Sequence, residues 1–257
     1  MPSQPSPRPA PGTTRASLIR LEIQTDDGLL RARLAVPEGG MRLAELAFNA
    51  MPLAERLVGL AVGREQKAGR PVTCGPACGV CCRQLVPLSP PEAFMIADLI
   101  ASMPPPRRDP LLDRFREAAR RLHEGGFKQR LLRPPDSEEQ TRQLGRAYFD
   151  LGLPCPFLLE ESCSMYPYRP SICREYLVTS PPDCCADPFG GLVARVSVPV
   201  RLSKALARLT AELAGGEPTL IPLTLAPLWV AEHPELRIRQ WPARPSLERL
   251  LELMSEK

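Results

Sequence analysis

The sequence predicts a mainly α fold: a compact helical domain with an N-terminal β-hairpin and two cysteine-rich loops that converge on a metal site. Apolar residues recur at helical spacing in several segments, and one early stretch alternates apolar with polar residues. All nine cysteines fall in two clusters. The first cluster is Cys74, Cys78, Cys81 and Cys82, and the second is Cys155, Cys163, Cys173, Cys184 and Cys185.

The N-terminal part divides into a tail, a hairpin and a helix. Residues 1–16 are rich in proline and serine, which predicts a disordered tail. Alternating apolar residues follow on both sides of Asp27-Gly28, a turn pair, and predict a β-hairpin. An apolar stripe then predicts a helix from Arg42 to about Lys67. We assign residues 17–72 to the hairpin plus this helix.

Residues 73–190 form the predicted cysteine-cluster domain, with three helices between the two clusters. Ser89-Pro-Pro-Glu92 has the spacing of a capping box and predicts the first helix start. Pro104–Pro106 is expected to end that helix. The other two helices are expected over Pro110–His123 and Ser137–Leu151.

Residues 191–257 are predicted to be a C-terminal helical extension that packs on the body of the protein. Apolar spacing indicates a helix over Arg201–Ala214, and Ser246 is expected to cap a last helix. We find no candidate catalytic residue in this extension.

The cysteine spacing favours metal binding. Thiolates are soft ligands for zinc and iron–sulfur clusters, and a loop of small residues can fold around a metal. Because Cys81 and Cys82 are adjacent, their side chains are expected to point apart and not to ligate one tetrahedral ion. Cys184 and Cys185 are weaker candidates, because a long proline-broken loop precedes them. The candidate ligands are Cys74, Cys78, Cys81, Cys82, Cys155, Cys163 and Cys173.

Other uses of the cysteines stay open: disulfides, a redox-active dithiol, or apolar core residues. Disulfides are disfavoured, because the chain has 257 residues, an odd number of cysteines and no signal peptide pattern. The only histidines, His123 and His233, lie far from both clusters, which favours an all-thiolate site. No apolar run approaches the length of a membrane span, so we expect a cytoplasmic protein without a membrane partner.

Residues around Cys173 are candidates for tuning the site. Arg169 and Arg174 flank this cysteine and Tyr176 follows it. The guanidinium groups are predicted to donate to sulfur or to offset thiolate charge. The alternative is that both arginines form ion pairs with nearby carboxylates. Those carboxylates are Glu160, Glu161 and Glu175.

The two clusters together resemble a known family. The run from Cys78 to Ser89, followed by Cys155-Pro-Phe-Leu, Cys163 and the stretch from Arg169 to Tyr176, is similar to the YkgJ-like cysteine-cluster proteins. This family is also described as the CxxCxxCC zinc- or iron-chelating domain, and flagellin lysine methylases carry a related pattern.

The resemblance covers about Cys74 to Cys185, under half of the chain. In this chain three residues separate Cys74 from Cys78, where the family pattern has two. The resemblance implies a compact, mainly helical domain that binds zinc or iron, with an iron–sulfur cluster as one form.

These observations predict a metal-binding cysteine-cluster protein with a structural or redox role. The excess of thiols and the Cys155-Pro156 step favour an iron–sulfur cluster such as [4Fe–4S], with zinc as the alternative. A second hypothesis is an enzyme that uses the cluster for methyl-transfer or redox chemistry on a protein substrate. No common catalytic or nucleotide-binding motif is present, so whether the protein is an enzyme stays open.

The sequence says little about partners. A formal net charge of +4 is too small to indicate nucleic-acid binding. The second cluster also lacks the paired knuckle of a zinc ribbon. We therefore expect no nucleic-acid partner and leave a protein partner open.

Overall fold

The computed structural model describes residues 16–25, 27–133 and 137–256. In this part of the chain, ten α-helices and eight short strands form the regular structure, so the predicted mainly helical fold with an N-terminal hairpin is confirmed. The predicted disordered tail lies outside the described residues, apart from its last residue.

The hairpin consists of β1 (Ala16–Thr25) and β2 (Gly28–Pro37), which pair antiparallel with Ile19 opposite Leu34. Gly28 has a φ of 127°, a left-handed conformation that glycine adopts without steric cost. The buried face of β2 packs on α1 (Leu43–Lys67).

Helix α1 is the central helix of the fold. Its buried side chains lie in the main core, and it packs on the second, sixth and seventh helices. Pro52 lies within it without ending it. By length and composition α1 is long and apolar enough to cross a membrane. This differs from the expectation that no run approaches that length. In the protein, 39% of its apolar window is buried. Core helices of soluble proteins meet the same criterion.

The remaining helices are mostly short. They are α2 (Pro90–Ala101), α3 (Pro105–Glu124), α4 (Phe127–Leu132), α5 (Glu138–Asp150), α6 (Ser171–Glu175), α7 (Leu202–Ala214), α8 (Ala226–Glu232), α9 (Pro234–Ile238) and α10 (Ala243–Ser255). The main core joins the hairpin with α1, α2, α7, α8 and α10. A second, smaller core lies among α3, α4 and α5.

There are three further two-stranded sheets, and two of them connect distant parts of the chain. They are β3 (Gly40–Arg42) with β8 (Gln240–Pro242), β4 (Pro87–Leu88) with β7 (Ile221–Pro222), and β5 (Leu158–Leu159) with β6 (Ser162–Cys163). The first two sheets join C-terminal segments to the N-terminal half. The third belongs to the second cysteine region.

The capping box at α2 is confirmed. The Glu92 carboxylate accepts hydrogen bonds from the Ser89 amide at 3.1 Å and from the Ser89 hydroxyl at 2.7 Å. It also accepts from the Ser171 amide at 2.6 Å, so this buried group links α2 to α6. The cap therefore also positions the segment that carries Cys173.

Two helix starts, those of α3 and α10, differ from the prediction, and one helix was missed. Helix α2 ends at Ala101, and Pro105 begins α3. Proline suits the first helical turn, because the backbone N–H that it lacks would have no intrahelical acceptor there. Helix α4 was not predicted. Helix α10 begins at Ala243, so the prediction that Ser246 caps it was wrong. Ser246 lies buried in its first turn, and its hydroxyl has no partner among the described residues.

Candidate metal centre

The first cysteine loop is fixed to the segment that follows α6. The Thr73 amide donates to the Val178 carbonyl at 3.0 Å, and the Thr73 hydroxyl donates to the Ser180 carbonyl at 2.6 Å. The Val178 amide in turn donates to the Cys74 sulfur at 3.4 Å. This sulfur therefore already accepts one backbone hydrogen bond.

Two tight turns shape the rest of the first loop. The Cys78 amide donates to the Gly75 carbonyl at 3.1 Å, and the Cys82 amide donates to the Gly79 carbonyl at 3.0 Å. The second turn is part of a 3₁₀ turn over Val80–Arg83. These turns bring the cysteines of the first cluster to one side of the fold.

The two cysteine loops contact each other directly. The Cys155 amide donates to the Cys82 carbonyl at 2.7 Å, a backbone hydrogen bond between the clusters. Arg83 forms a two-pronged ion pair with Glu161, at 3.0 and 2.6 Å. The carbonyl oxygen of Glu161 also lies so close to Gly79 that a Cβ there would be 2.7 Å from it. The loops are therefore in van der Waals contact as well as hydrogen bonded.

All nine cysteines are free. Four of them, Cys74, Cys78, Cys81 and Cys185, line one cavity of about 10 Å³, together with Tyr176. That volume is about the space that one water-sized group occupies. Cys185 was a weaker candidate in the sequence, and the structure places it beside three cysteines of the first cluster.

A second group of thiols lies next to the first. The pKa of Cys155 is raised to about 12, mainly by burial, with smaller contributions from the neighbouring Cys163 and Cys81. Burial also raises the pKa of Cys173 well above its ordinary value, with added contributions from Cys155, Cys81 and Cys163. Cys81 therefore interacts with the thiols of both groups.

Cys81 and Cys82 also interact with each other. The neighbouring Cys82 side chain is the main cause of the raised pKa of Cys81, and burial is the second. The expectation that the two side chains point apart and do not ligate one tetrahedral ion stays a prediction.

The thiols are close together, but they are not arranged as a preformed site. Within residues 16–25, 27–133 and 137–256, no group of three or more His, Cys, Asp or Glu side chains has the geometry of a metal site. The raised thiol pKa values favour protonated cysteines near neutral pH. A bound metal would have to displace these protons and draw the sulfurs together.

Arg169 lies where it can offset thiolate charge. Its guanidinium stacks on Tyr166, 3.6 Å from the ring centre, and donates to the Tyr166 carbonyl at 3.2 Å. Burial is the main cause of the raised pKa values of Cys74 and Cys163, and the charge of Arg169 counteracts it. Arg169 therefore favours thiolate at the same cysteines that burial keeps neutral.

Arg174 has a mainly structural role. It is buried and donates to the Arg169 carbonyl at 2.8 Å, the Pro167 carbonyl at 2.5 Å and the Glu55 carboxylate at 2.6 Å. Among the described residues, neither Arg174 nor Arg169 donates to a cysteine sulfur.

Among the described residues, neither arginine forms an ion pair with Glu160, Glu161 or Glu175, and Arg169 forms none at all. Arg174 pairs with Glu55 from α1, a contact that no local spacing indicates. Glu161 pairs with Arg83, and Glu175 accepts two hydrogen bonds from Ser203.

Tyr176 lines the cavity beside the thiols. Its hydroxyl is buried and has no hydrogen-bond partner within the described part of the chain. The Arg195 guanidinium lies over its ring, 5.2 Å from the ring centre.

Sequence reasoning ranked Cys185 too low and missed Gly79 and Arg83 as parts of this site. A signal existed for Cys185, because Cys184-Cys185 repeats the doublet of the first cluster. The roles of Gly79 and Arg83 depend on the neighbouring hairpin and have no signal in the sequence.

The chain matches no protein-family model, no curated protein and no solved structure.

Proposed function

We propose that this protein binds metal through thiolates from both cysteine loops, as an iron–sulfur cluster with zinc as the alternative, in a structural or redox role. One observation carries the proposal. The hydrogen bond from the Cys155 amide to the Cys82 carbonyl holds the two clusters side by side while every cysteine stays free.

Two groups of thiols are available as ligands. Cys81 belongs to both and would connect them. The first group is Cys74, Cys78, Cys81 and Cys185, and the second is Cys155, Cys163 and Cys173. Cys82, which follows Cys81 directly in the chain, is a further candidate.

Seven or more thiols exceed what one tetrahedral ion needs, which supports a multi-metal centre. The resemblance to the YkgJ-like cysteine-cluster proteins supports zinc or iron. A bound cluster would supply one-electron redox chemistry, whereas zinc would supply folding free energy.

Other residues of the chain prepare the site. Arg169 offsets negative charge at several thiolates, and prolines such as Pro170 reduce the chain entropy that is lost when the ligands come together. A reducing compartment such as the cytoplasm would keep the thiols available.

The direct test is to purify the full chain without oxygen and to measure iron, zinc, acid-labile sulfide and visible absorption. The proposal predicts iron and sulfide in similar amounts, with absorption that fades on reduction. A colourless protein with stoichiometric zinc would reverse the order of the two metals. A protein that binds neither metal after loading would refute the proposal.

A further inference from the structure

A larger groove lies beside the cysteine cavity. Its volume is about 630 Å³, within the size range of small-molecule sites in proteins. Gln84, α5 and the segment after Cys185 form its walls. Tyr176 lines both the groove and the cysteine cavity, so the two sites are neighbours.

The charged groups in the groove are mostly cationic. Arg142, Arg195 and Arg201 all line it, and none of them has a carboxylate ion-pair partner among the described residues. The acidic groups that line it are Glu138 and Glu175. The Glu175 carboxylate accepts hydrogen bonds from the Ser203 amide and hydroxyl, and it also interacts with the charge of Arg201.

Some arginines elsewhere on this protein are paired, such as Arg120 with Glu117 and Glu124, and others are not. What sets the groove apart is that three arginines without a carboxylate ion pair line the same concave surface. Guanidinium groups in this arrangement suit a carboxylate, sulfonate or phosphate.

Two further polar groups belong to the groove lining. The side-chain amide nitrogen of Gln84 and the hydroxyl of Tyr176 are buried, and the described part of the chain offers neither a hydrogen-bond partner. Buried polar groups in proteins almost always have a partner, so these two atoms require an explanation. Both are donors, and a ligand in the groove would reach them only after the side chains move.

The rest of the lining is apolar. Leu85, Ile172, Phe189 and Val196 contribute to the walls, so a ligand with only charged surface would leave much of the groove without complementary contacts. An apolar body next to an anionic group matches both parts of the lining.

We propose that this groove binds a small organic anion, with its acidic group at the arginines and its apolar body against the Phe189 side. The bound molecule would lie beside the cysteine site, since Tyr176 lines both. The proposal does not depend on which metal the cysteines bind.

The test uses a matched pair of fluorescent probes on the full chain. Anilinonaphthalene sulfonate has an apolar body and a sulfonate, and N-phenylnaphthylamine has the same body without the charge. The variant carries Arg142→Gln and Arg201→Gln. The control carries Arg116→Gln and Arg208→Gln, which make the same change in net charge outside the groove, at arginines paired with Asp113 and Glu256.

We expect saturable binding of the sulfonate probe and a loss of at least about tenfold, or ~1.4 kcal/mol, in the groove variant. The control should retain wild-type affinity, and the neutral probe should bind both variants alike. Circular dichroism checks that the variants are folded, and Arg142→Gln alone replaces the double variant if that one unfolds. Any of three results would overturn the proposal: the wild type binds both probes equally well, both double variants lose equal affinity, or no saturable binding is seen.

Discussion

Gly79 is the position where the contact between the two cysteine loops can be tested with one methyl group. A Cβ at Gly79 would lie 2.7 Å from the Glu161 carbonyl oxygen and 2.9 Å from its carbonyl carbon. Ordinary contact begins at 3.4 Å, so the hairpin that carries Glu161 would have to move by about 0.7 Å. Because the obstacle is backbone, no side-chain rotation can relieve it.

The expected cost of Gly79→Ala follows from overpacking a tight contact, about 1–3 kcal/mol. For a chain of this size that corresponds to a lower melting temperature by roughly 3–9 °C. The displacement also pulls on the Arg83–Glu161 ion pair and on the Cys155–Cys82 backbone hydrogen bond. We therefore expect weaker metal retention as well as lower stability.

Gly75→Ala is the matched control, since it adds the same methyl group to the same loop. A Cβ at Gly75 would meet nothing within 4 Å, and neither glycine has a positive φ. Urea unfolding followed by circular dichroism should show Gly75→Ala within about 0.5 kcal/mol of the wild type. If both variants lose equal stability and equal metal, the reasoning about loop contact fails.

Three further predictions concern other parts of the structure. Arg174→Lys should lower the free energy of unfolding in urea by about 1–3 kcal/mol, because the carbonyls that Arg174 bonds would be left unpaired. Glu55→Gln should lower it by less than about 1 kcal/mol. Equal losses would contradict the structural role of Arg174. Hydrogen bonds from Arg70 and then Arg64 hold the pKa of Glu65 below its ordinary 4.5. Its stabilising effect should therefore be present above that pH and fade as the pH falls through the lowered pKa, so that Glu65→Gln melts below the wild type at pH 7 but not in acid; a gap that is independent of pH would count against this. Glu160→Gly should raise the melting temperature slightly, because relief of the left-handed conformation, about 1–2 kcal/mol, exceeds the chain-entropy cost of glycine, about 0.5–1 kcal/mol; a lower melting temperature would contradict it.

Local patterns predicted most of the helices and the hairpin. The capping box at Ser89 and the alternation around Asp27-Gly28 depend on residues a few positions apart, so the sequence contains the full signal. The start of α3 was predicted five residues too late, because the prolines that follow α2 also begin the next helix.

The cysteine site was only partly predictable. Clustering of the cysteines indicated a shared site, but spacing could not show that Cys185 joins the first group or that Cys81 contacts both groups. Likewise, Glu55 lies far from Arg174 in the chain, so only the packing of α1 on α6 identifies it as the partner.

The most direct test of the central claim compares one cysteine from each loop. The metal bound per chain is measured for Cys78→Ser and Cys163→Ser after anaerobic purification alongside the wild type. If thiolates from both loops bind the same centre, both variants will retain less metal than the wild type. Full metal retention by either variant would contradict the account.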